Sequence, residues 1–172
     1  MNLEVRSVLL GSAGLTVAAV IALLLTLSRA GVNASKAELR AAVRTALGLI
    51  LIQAAHFVEE FATGFHQRFP ELLSLTPWSP QFFVSFNLSW LAIWSLSIWG
   101  LAARRKSALF PLWFLDVSSA ANGVAHPLFS VLTGGYFPGL VTAPFAGVTG
   151  VLLMRRLLQV TAGRDPAVAA RA

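Results

Sequence analysis

The sequence predicts an all-α integral membrane protein, a bundle of about five transmembrane helices in one domain that comprises residues 1–172. Of the 172 residues, 56% are apolar and only 12% are charged, whereas a typical soluble domain has about 25% charged residues. The apolar residues occur in runs of about twenty, the length that a helix needs to cross a hydrocarbon core. Basic residues separate these runs, as they do between transmembrane helices.

The first predicted span, residues 7–27, follows Arg6 and could pass for a secretory signal peptide. Its apolar run exceeds the roughly 7–15 residues of a signal peptide core, so we predict a retained helix. The second span, residues 41–61, is the least apolar because Arg44, Gln53 and three ionisable residues interrupt it. Its apolar stretch 47–52 still favours a helix that crosses the membrane.

Residues 62–81 contain three prolines and a glycine, and we predict that they lie along the outer membrane surface instead of spanning it. The last three spans are residues 82–102, 108–132 and 138–158. Trp90 and Trp94 are four residues apart in the third span, and we interpret them as packing residues more than as the lining of a pocket. Small residues such as Gly147 and Gly150 predict close helix packing, either inside the bundle or in a homo-oligomer.

The basic residues predict the orientation, because Lys and Arg stay on the cytoplasmic side of short loops. Eleven of the 13 basic residues lie in the first loop, the third loop and the C-terminal segment. They are Arg29, Lys36, Arg40, Arg44, Arg104, Arg105, Lys106, Arg155, Arg156, Arg164 and Arg171. Only Arg6 and Arg68 lie on the other side. We therefore predict an external N-terminus, a cytoplasmic C-terminus and a location in the plasma membrane, as in the inner membrane of a bacterium.

The composition also excludes several classes of site. Without cysteine there is no disulfide, thiolate metal site or cysteine nucleophile, so any metal must bind to nitrogen and oxygen atoms. The net charge of +6 does not indicate nucleic-acid binding, because the basic residues flank apolar runs and form no aromatic-interleaved patch. The expected partners are the lipid bilayer and a hydrophobic small molecule.

Two groups of polar residues, one in the second span and one in the fourth, form the candidate site. Ionisable groups are costly in hydrocarbon, so those that remain there usually serve a site or a pathway. A helix places Glu59 about 60° to one side of His56 and Glu60 about 40° to the other. In the fourth span Asn122 and His126 are four residues apart and share a face.

The depths of the two histidines in the membrane predict that these groups can meet. The second and fourth spans run in the same direction, and His56 and His126 lie five and six residues before their outer ends. The two imidazoles therefore lie at similar depth in the outer half of the bilayer, and they can meet if their helices are neighbours. Asp116 lies roughly 15 Å deeper and is expected to be a separate buried group of unassigned role. Pro127 predicts a kink beside His126, or, as an alternative, the end of the helix.

The stretch His56-Phe57-Val58-Glu59-Glu60 resembles the motif of the HXXEE family of small integral membrane proteins. Residues 122–126 and 135–140 are similar to a second motif region of that family. The resemblance covers residues 41–158 and leaves residues 1–30 as an additional N-terminal helix. The family has no established activity, so the resemblance implies important positions and no reaction.

A membrane enzyme with a mononuclear zinc or iron site is the function that we favour from the sequence. His56, His126 and one of Glu59 or Glu60 would bind the metal, with the other glutamate as base or outer partner and Asn122 holding the substrate. Three alternatives remain open. They are a metal-free acid/base isomerase or hydrolase with the same residues, a bis-histidine haem protein, and a non-catalytic subunit or carrier.

Overall fold

The computed structural model describes residues 3–162, and these residues form helices and loops without a strand. The helices are α1 (Leu3–Gly11), α2 (Ala13–Leu27), α3 (Lys36–Ala62), α4 (Phe65–Leu72), α5 (Pro80–Ala102), α6 (Leu109–Thr133) and α7 (Ala143–Thr161). The all-α prediction is thereby confirmed for this part of the chain. Arg164, Arg171 and the predicted cytoplasmic C-terminus lie outside the described residues.

Local sequence signals set the ends of the longest helices. Ser35 and Glu38 form a capping box at the start of α3, which satisfies backbone N–H groups that the first turn leaves unpaired. Ser79 accepts a hydrogen bond from the Phe82 amide, and Pro80 occupies the first turn of α5. Gly134 follows α6 with a φ of 70°, a left-handed conformation in which glycine ends helices at little cost.

Helices α3 and α5 are each long and apolar enough to cross a membrane. The pair α1 and α2 passes the same test together, but it is bent by 53°, so two or at most three spans meet this criterion among the described residues. The predicted first span, residues 7–27, therefore contains a break, since α1 ends at Gly11 and α2 begins at Ala13. These findings support a membrane protein and leave the count of five spans as a prediction.

The last two predicted spans differ from the structure in specific ways. Helix α6 continues through Pro127 to Thr133, so the alternative that proline ends this helix was wrong. Helix α7 begins at Ala143, five residues later than predicted, because residues 134–142 form a loop in which Gly139 has a φ of 86°. The predicted surface segment 62–81 contains the short helix α4.

Helix α7 packs against both α3 and α6, and α6 also packs against α2. Gly123 of α6 and Gly147 of α7 touch so closely that a Cβ on either would lie 2.7 Å from the other's Cα. Gly150 contacts the backbone of α6 in the same way at Asp116. The seam of small residues in the fifth span therefore packs inside the bundle, while a homo-oligomer stays a prediction.

Long-range hydrogen bonds join the loops at each end of the bundle. The Asn33 amide donates to the Val160 carbonyl at 2.8 Å, and Arg104 donates to the Ala34 carbonyl at 2.7 Å. The first and third loops therefore meet the C-terminal end of α7, where the predicted cytoplasmic basic residues lie. At the opposite end the Trp78 indole N–H donates to the Ser7 hydroxyl at 3.1 Å. Successive loops thus lie at opposite ends of the bundle, as the predicted order of helices requires.

Candidate metal centre

Three potential metal ligands converge near the C-terminal ends of α3 and α6. Glu60 Oε1 lies 3.4 Å from His56 Nε2 and 3.4 Å from His126 Nε2. The two imidazole centroids are 4.8 Å apart with the rings nearly perpendicular, and all three residues are at most 4% exposed. The predicted meeting of His56 and His126 is confirmed by these distances, although α7 packs between the two helices that carry them.

Hydrogen bonds on the far side of each ring fix the protonated nitrogen. His126 Nδ1 lies 2.6 Å from the Pro138 carbonyl oxygen, and since a carbonyl only accepts, Nδ1–H must donate. His56 Nδ1 lies 2.7 Å from Thr142 Oγ1, whose single hydroxyl proton is donated to Glu59. Thr142 therefore accepts from His56 Nδ1–H. In the neutral form of each ring, Nε2 carries a lone pair and points towards Glu60.

Two imidazole lone pairs and one carboxylate thus face one another in a buried space. The carboxylate and the two lone pairs repel each other, and the long contact from the Asn122 amide nitrogen to His56 Nε2, 3.5 Å, offsets this only in part. Burial in a low dielectric increases the cost. A cation between them, either a metal ion or added protons, removes the repulsion. Ligands of a tetrahedral ion with bonds of about 2.0–2.2 Å lie about 3.3–3.6 Å apart, which agrees with the 3.4 Å separations. The three ligand atoms, one from each residue, all lie within 4.8 Å of one another.

Glu59 does not belong to this group, so of the two glutamates that the sequence left open as ligands, Glu60 is the one that faces both imidazoles. Glu59 lies on the opposite flank of His56 from Glu60, as the helical angles predicted. Its carboxylate accepts hydrogen bonds from the backbone N–H groups of Val141 and Thr142, both at 2.9 Å, and from the Tyr136 hydroxyl at 2.6 Å. Partial burial and the bond to Glu59 raise the pKa of Tyr136, so its hydroxyl stays a donor. Glu59 therefore anchors the loop before α7.

Gly139 lies directly against both imidazoles. A Cβ built on it would be 2.6 Å from His126 Nδ1 and Cε1 and 2.8 Å from His56 Cε1. Its φ of 86° is in the left-handed region that glycine tolerates best. Only a residue without a side chain therefore fits between the two rings in their present positions.

Asn122 and Asp116 occupy different surroundings. The Asn122 amide nitrogen lies 3.5 Å from His56 Nε2, and the side chain borders the adjacent cavity. Asp116 is fully buried, lies outside the group and forms no ion pair with any residue of 3–162. The separate position predicted for Asp116 agrees with this placement.

A cavity of about 390 Å³ adjoins the group and reaches Glu60, Asn122 and His126. Its other polar lining residues include Gln53, Asn87 and Ser118. Aromatic rings make up much of the rest: Phe57, Phe65, Phe69, Trp78, Phe82, Phe83, Phe86, Trp90, Trp94, Phe114 and Phe129. The interpretation of Trp90 and Trp94 as packing residues was therefore incomplete, since both also line this cavity.

Two parts of the site have no signature in the sequence. Thr142 gave no signal, because a threonine near the start of a helix usually serves only as a cap. The Pro138 carbonyl is a backbone group and has no residue signature, although the prolines and glycines around it indicated a loop. Both parts depend on where the loop 134–142 crosses α3, which spacing along the chain does not reveal.

The chain was compared with protein families, curated proteins and solved structures. The family model described as a protein of unknown function with HXXEE motif matches residues 47–153. These residues include the three converging ligands and the loop that holds them. Among curated proteins and among solved structures, no match to the chain was found.

Proposed function

We propose that this chain, which belongs to the HXXEE family, is a membrane-embedded enzyme in which His56, Glu60 and His126 bind one divalent metal ion, zinc or iron. Its substrate is a lipidic or other hydrophobic molecule that enters from the bilayer. The observation that carries the proposal is the convergence of two Nε2 lone pairs and one carboxylate oxygen, with each Nδ1–H already bonded elsewhere.

The number of protein ligands supports a catalytic role over a purely structural one. Structural zinc sites are usually closed by four protein ligands, whereas catalytic sites use three and leave a position for water or substrate. Two histidines and one carboxylate are also the ligand set of non-haem iron(II) oxygenases. A bound ion of either kind supplies a Lewis acid next to the cavity.

The chain's own residues have distinct roles in this proposal. Glu60 completes the ligand set, and Asn122 orients the substrate where the cavity meets the site. Glu59 holds Thr142, and Thr142 accepts from His56, so this relay fixes the imidazole that faces the ion. Asn122 therefore acts on the substrate and Glu59 acts on the ligand His56, and neither residue binds the ion.

Metal-free acid/base catalysis is the second candidate, because a buried carboxylate 3.4 Å from two imidazoles can share protons with them. The haem alternative has less support. Glu60 lies within 3.4 Å of both Nε2 atoms, in the space that a porphyrin ring between the histidines would need. Metal analysis together with an absorption spectrum distinguishes these three.

The proposal predicts unequal effects of the two glutamates. Glu60→Gln removes a charged ligand and should reduce bound metal from about one ion per chain to less than about a tenth. Glu59→Gln should keep the ligands but weaken metal affinity about 10- to 100-fold, as loss of an outer partner does. The measurement is elemental analysis of detergent-purified protein, followed by titration with zinc or iron(II) under competition from a chelator.

Asp116→Asn is the control, since Asp116 is a buried acid outside the group. It should keep the full metal content. Metal-free wild-type protein after purification and reconstitution would contradict the metal proposal and favour acid/base chemistry. Equal affinities in the Glu59→Gln and Glu60→Gln variants would contradict the assigned roles.

We also propose that the bundle crosses a plasma membrane five times, with the N-terminus outside and the basic loops in the cytoplasm, as in a bacterial inner membrane. Reporters fused after residue 172 and after Leu75 should report the cytoplasm and the exterior, respectively. A fusion within the basic third loop, after Arg105, is the internal control and should report the cytoplasm. Reporters at residue 172 and Leu75 on the same side would exclude an odd number of spans between these two positions and would contradict the five-span topology.

A further inference from the structure

The cavity beside the site is elongated. Its lining on α5 runs from Phe82 to Trp94, twelve residues and therefore about 18 Å along the helix axis. Its volume of about 390 Å³ is near the lower end of the roughly 300–1,000 Å³ of small-molecule sites. A cavity of this length and volume suits one extended alkyl chain better than the two chains of a phospholipid.

The polar group lies near one end of this channel. On α6 the lining begins at Phe114, twelve residues before His126, and ends at Phe129, one turn beyond it. Most of the channel, about 18 Å along α6, therefore extends from the site towards Phe114. Trp94 lies partway along it, since its ring is 6.2 Å from the Phe57 ring and that ring is 6.3 Å from His56. A molecule that fits has a polar head at Glu60 and an apolar chain that runs inward between aromatic rings.

The N-terminal helices close this channel along one side. Val8, Gly11, Gly14 and Ala18 of α1 and α2 line it, and all four precede the family-matched residues 47–153. Gly11 permits the contact with Trp78, because a Cβ there would lie 2.5 Å from the Trp78 ring. The bend between α1 and α2 lets the pair follow the channel past α4.

We propose that the channel holds a single-chain amphiphile, with its polar head at the His/Glu group and its alkyl chain against Trp94 under the wall formed by α1 and α2. This inference rests on the proposed function for the role of the head group. The volume of the cavity favours one alkyl chain over the two chains of a phospholipid, and the experiment below tests both.

Quenching of tryptophan fluorescence by ω-bromododecanoate tests the inference in protein reconstituted into phosphatidylcholine nanodiscs. Nanodiscs avoid detergents, which are themselves single-chain amphiphiles. The bromine should reach the buried Trp94, which is 3% exposed, so quenching should saturate and should fall clearly in a Trp94→Phe variant. A brominated two-chain phosphatidylcholine should quench Trp94 no more than the bilayer background.

A matched pair of substitutions on α6 locates the chain. Ala121→Phe places a ring in the channel and should weaken binding of ω-bromododecanoate by at least about tenfold. Val124→Phe adds a ring on the outward face of the same helix, where Val124 is 69% exposed, and should leave binding unchanged. Equal binding by both variants, or equal quenching of Trp94 by the two-chain lipid, would overturn the inference.

Metal content measured on the same samples separates this inference from the proposed function. Full metal content without saturable quenching of Trp94 would overturn the single-chain channel alone. Saturable quenching in wild-type protein that binds no metal would overturn the metal-dependent enzyme and retain the channel.

Discussion

His56→Ala and His126→Ala should each reduce bound metal from about one ion per chain to less than about a tenth, while His66→Ala leaves it unchanged. Each of the first two removes one of three protein ligands, and loss of an outer partner alone costs about 10- to 100-fold in affinity. A larger loss is therefore expected when a nitrogen that binds the ion directly is removed. Elemental analysis of purified protein measures the effect.

His66 is the matched control because it is a buried histidine outside the group. It is 6% exposed in α4 and packs against Phe61 and Phe83, with ring centroids 5.6 and 6.0 Å away. His66→Ala therefore removes a buried imidazole without removing a ligand. All three variants should insert into the membrane, since insertion depends on hydropathy. Full metal content in either His56→Ala or His126→Ala would contradict the assigned ligand set.

Gly139→Ala should abolish metal binding and destabilise the protein by at least about 2 kcal/mol, through backbone strain and overpacking. The new Cβ would lie within 2.6–2.8 Å of atoms in both imidazoles, so at least one ring must leave its position. Thermal unfolding of the purified protein and its metal content measure the two effects separately.

Substitutions of two other glycines in the same loop distinguish backbone strain from steric overlap with the histidines. Gly134 has a φ of 70° and open space around its Cβ position, so Gly134→Ala should cost about 1–2 kcal/mol and keep the metal. Gly135 also has open space and no positive φ, so Gly135→Ala should leave both properties near the wild-type values. Loss of metal in Gly134→Ala equal to that in Gly139→Ala would show that the contact with the histidines is not the cause.

Sequence periodicity predicted the parts of the fold that depend on hydropathy. The ends of α3 and α5 lie within five residues of the predicted spans, because each helix contains a long apolar run. Ser35 and Ser79, which cap the two helices, lie before the predicted starts. The start of α7 was wrong because the loop before it is held by a distant residue, Glu59, instead of by a local cap. Long-range anchoring of this kind leaves no periodic signal in the sequence.

The positions of the candidate site residues along their helices could also be predicted from the sequence. Helical angles separated Glu59 from Glu60, and counting residues to the helix ends matched the depths of His56 and His126. Neither argument could decide which glutamate faces the second histidine, since that depends on the rotation of α3 in the bundle. The packing of α7 against α3 decides it by placing Thr142 beside Glu59.

The loop 134–142 also has a consequence for biosynthesis. It supplies the carbonyl that orients His126 and the hydroxyl that orients His56, and it lies between α6 and α7 in the chain. A nascent chain in which α6 is inserted and α7 is not has all three ligands but neither orienting contact. If the chain binds the proposed ion, loading should therefore follow insertion of α7, and until then Glu60 and the two histidines would lie in the membrane without it. A chain truncated after Thr133 should insert but bind metal more weakly than the full chain.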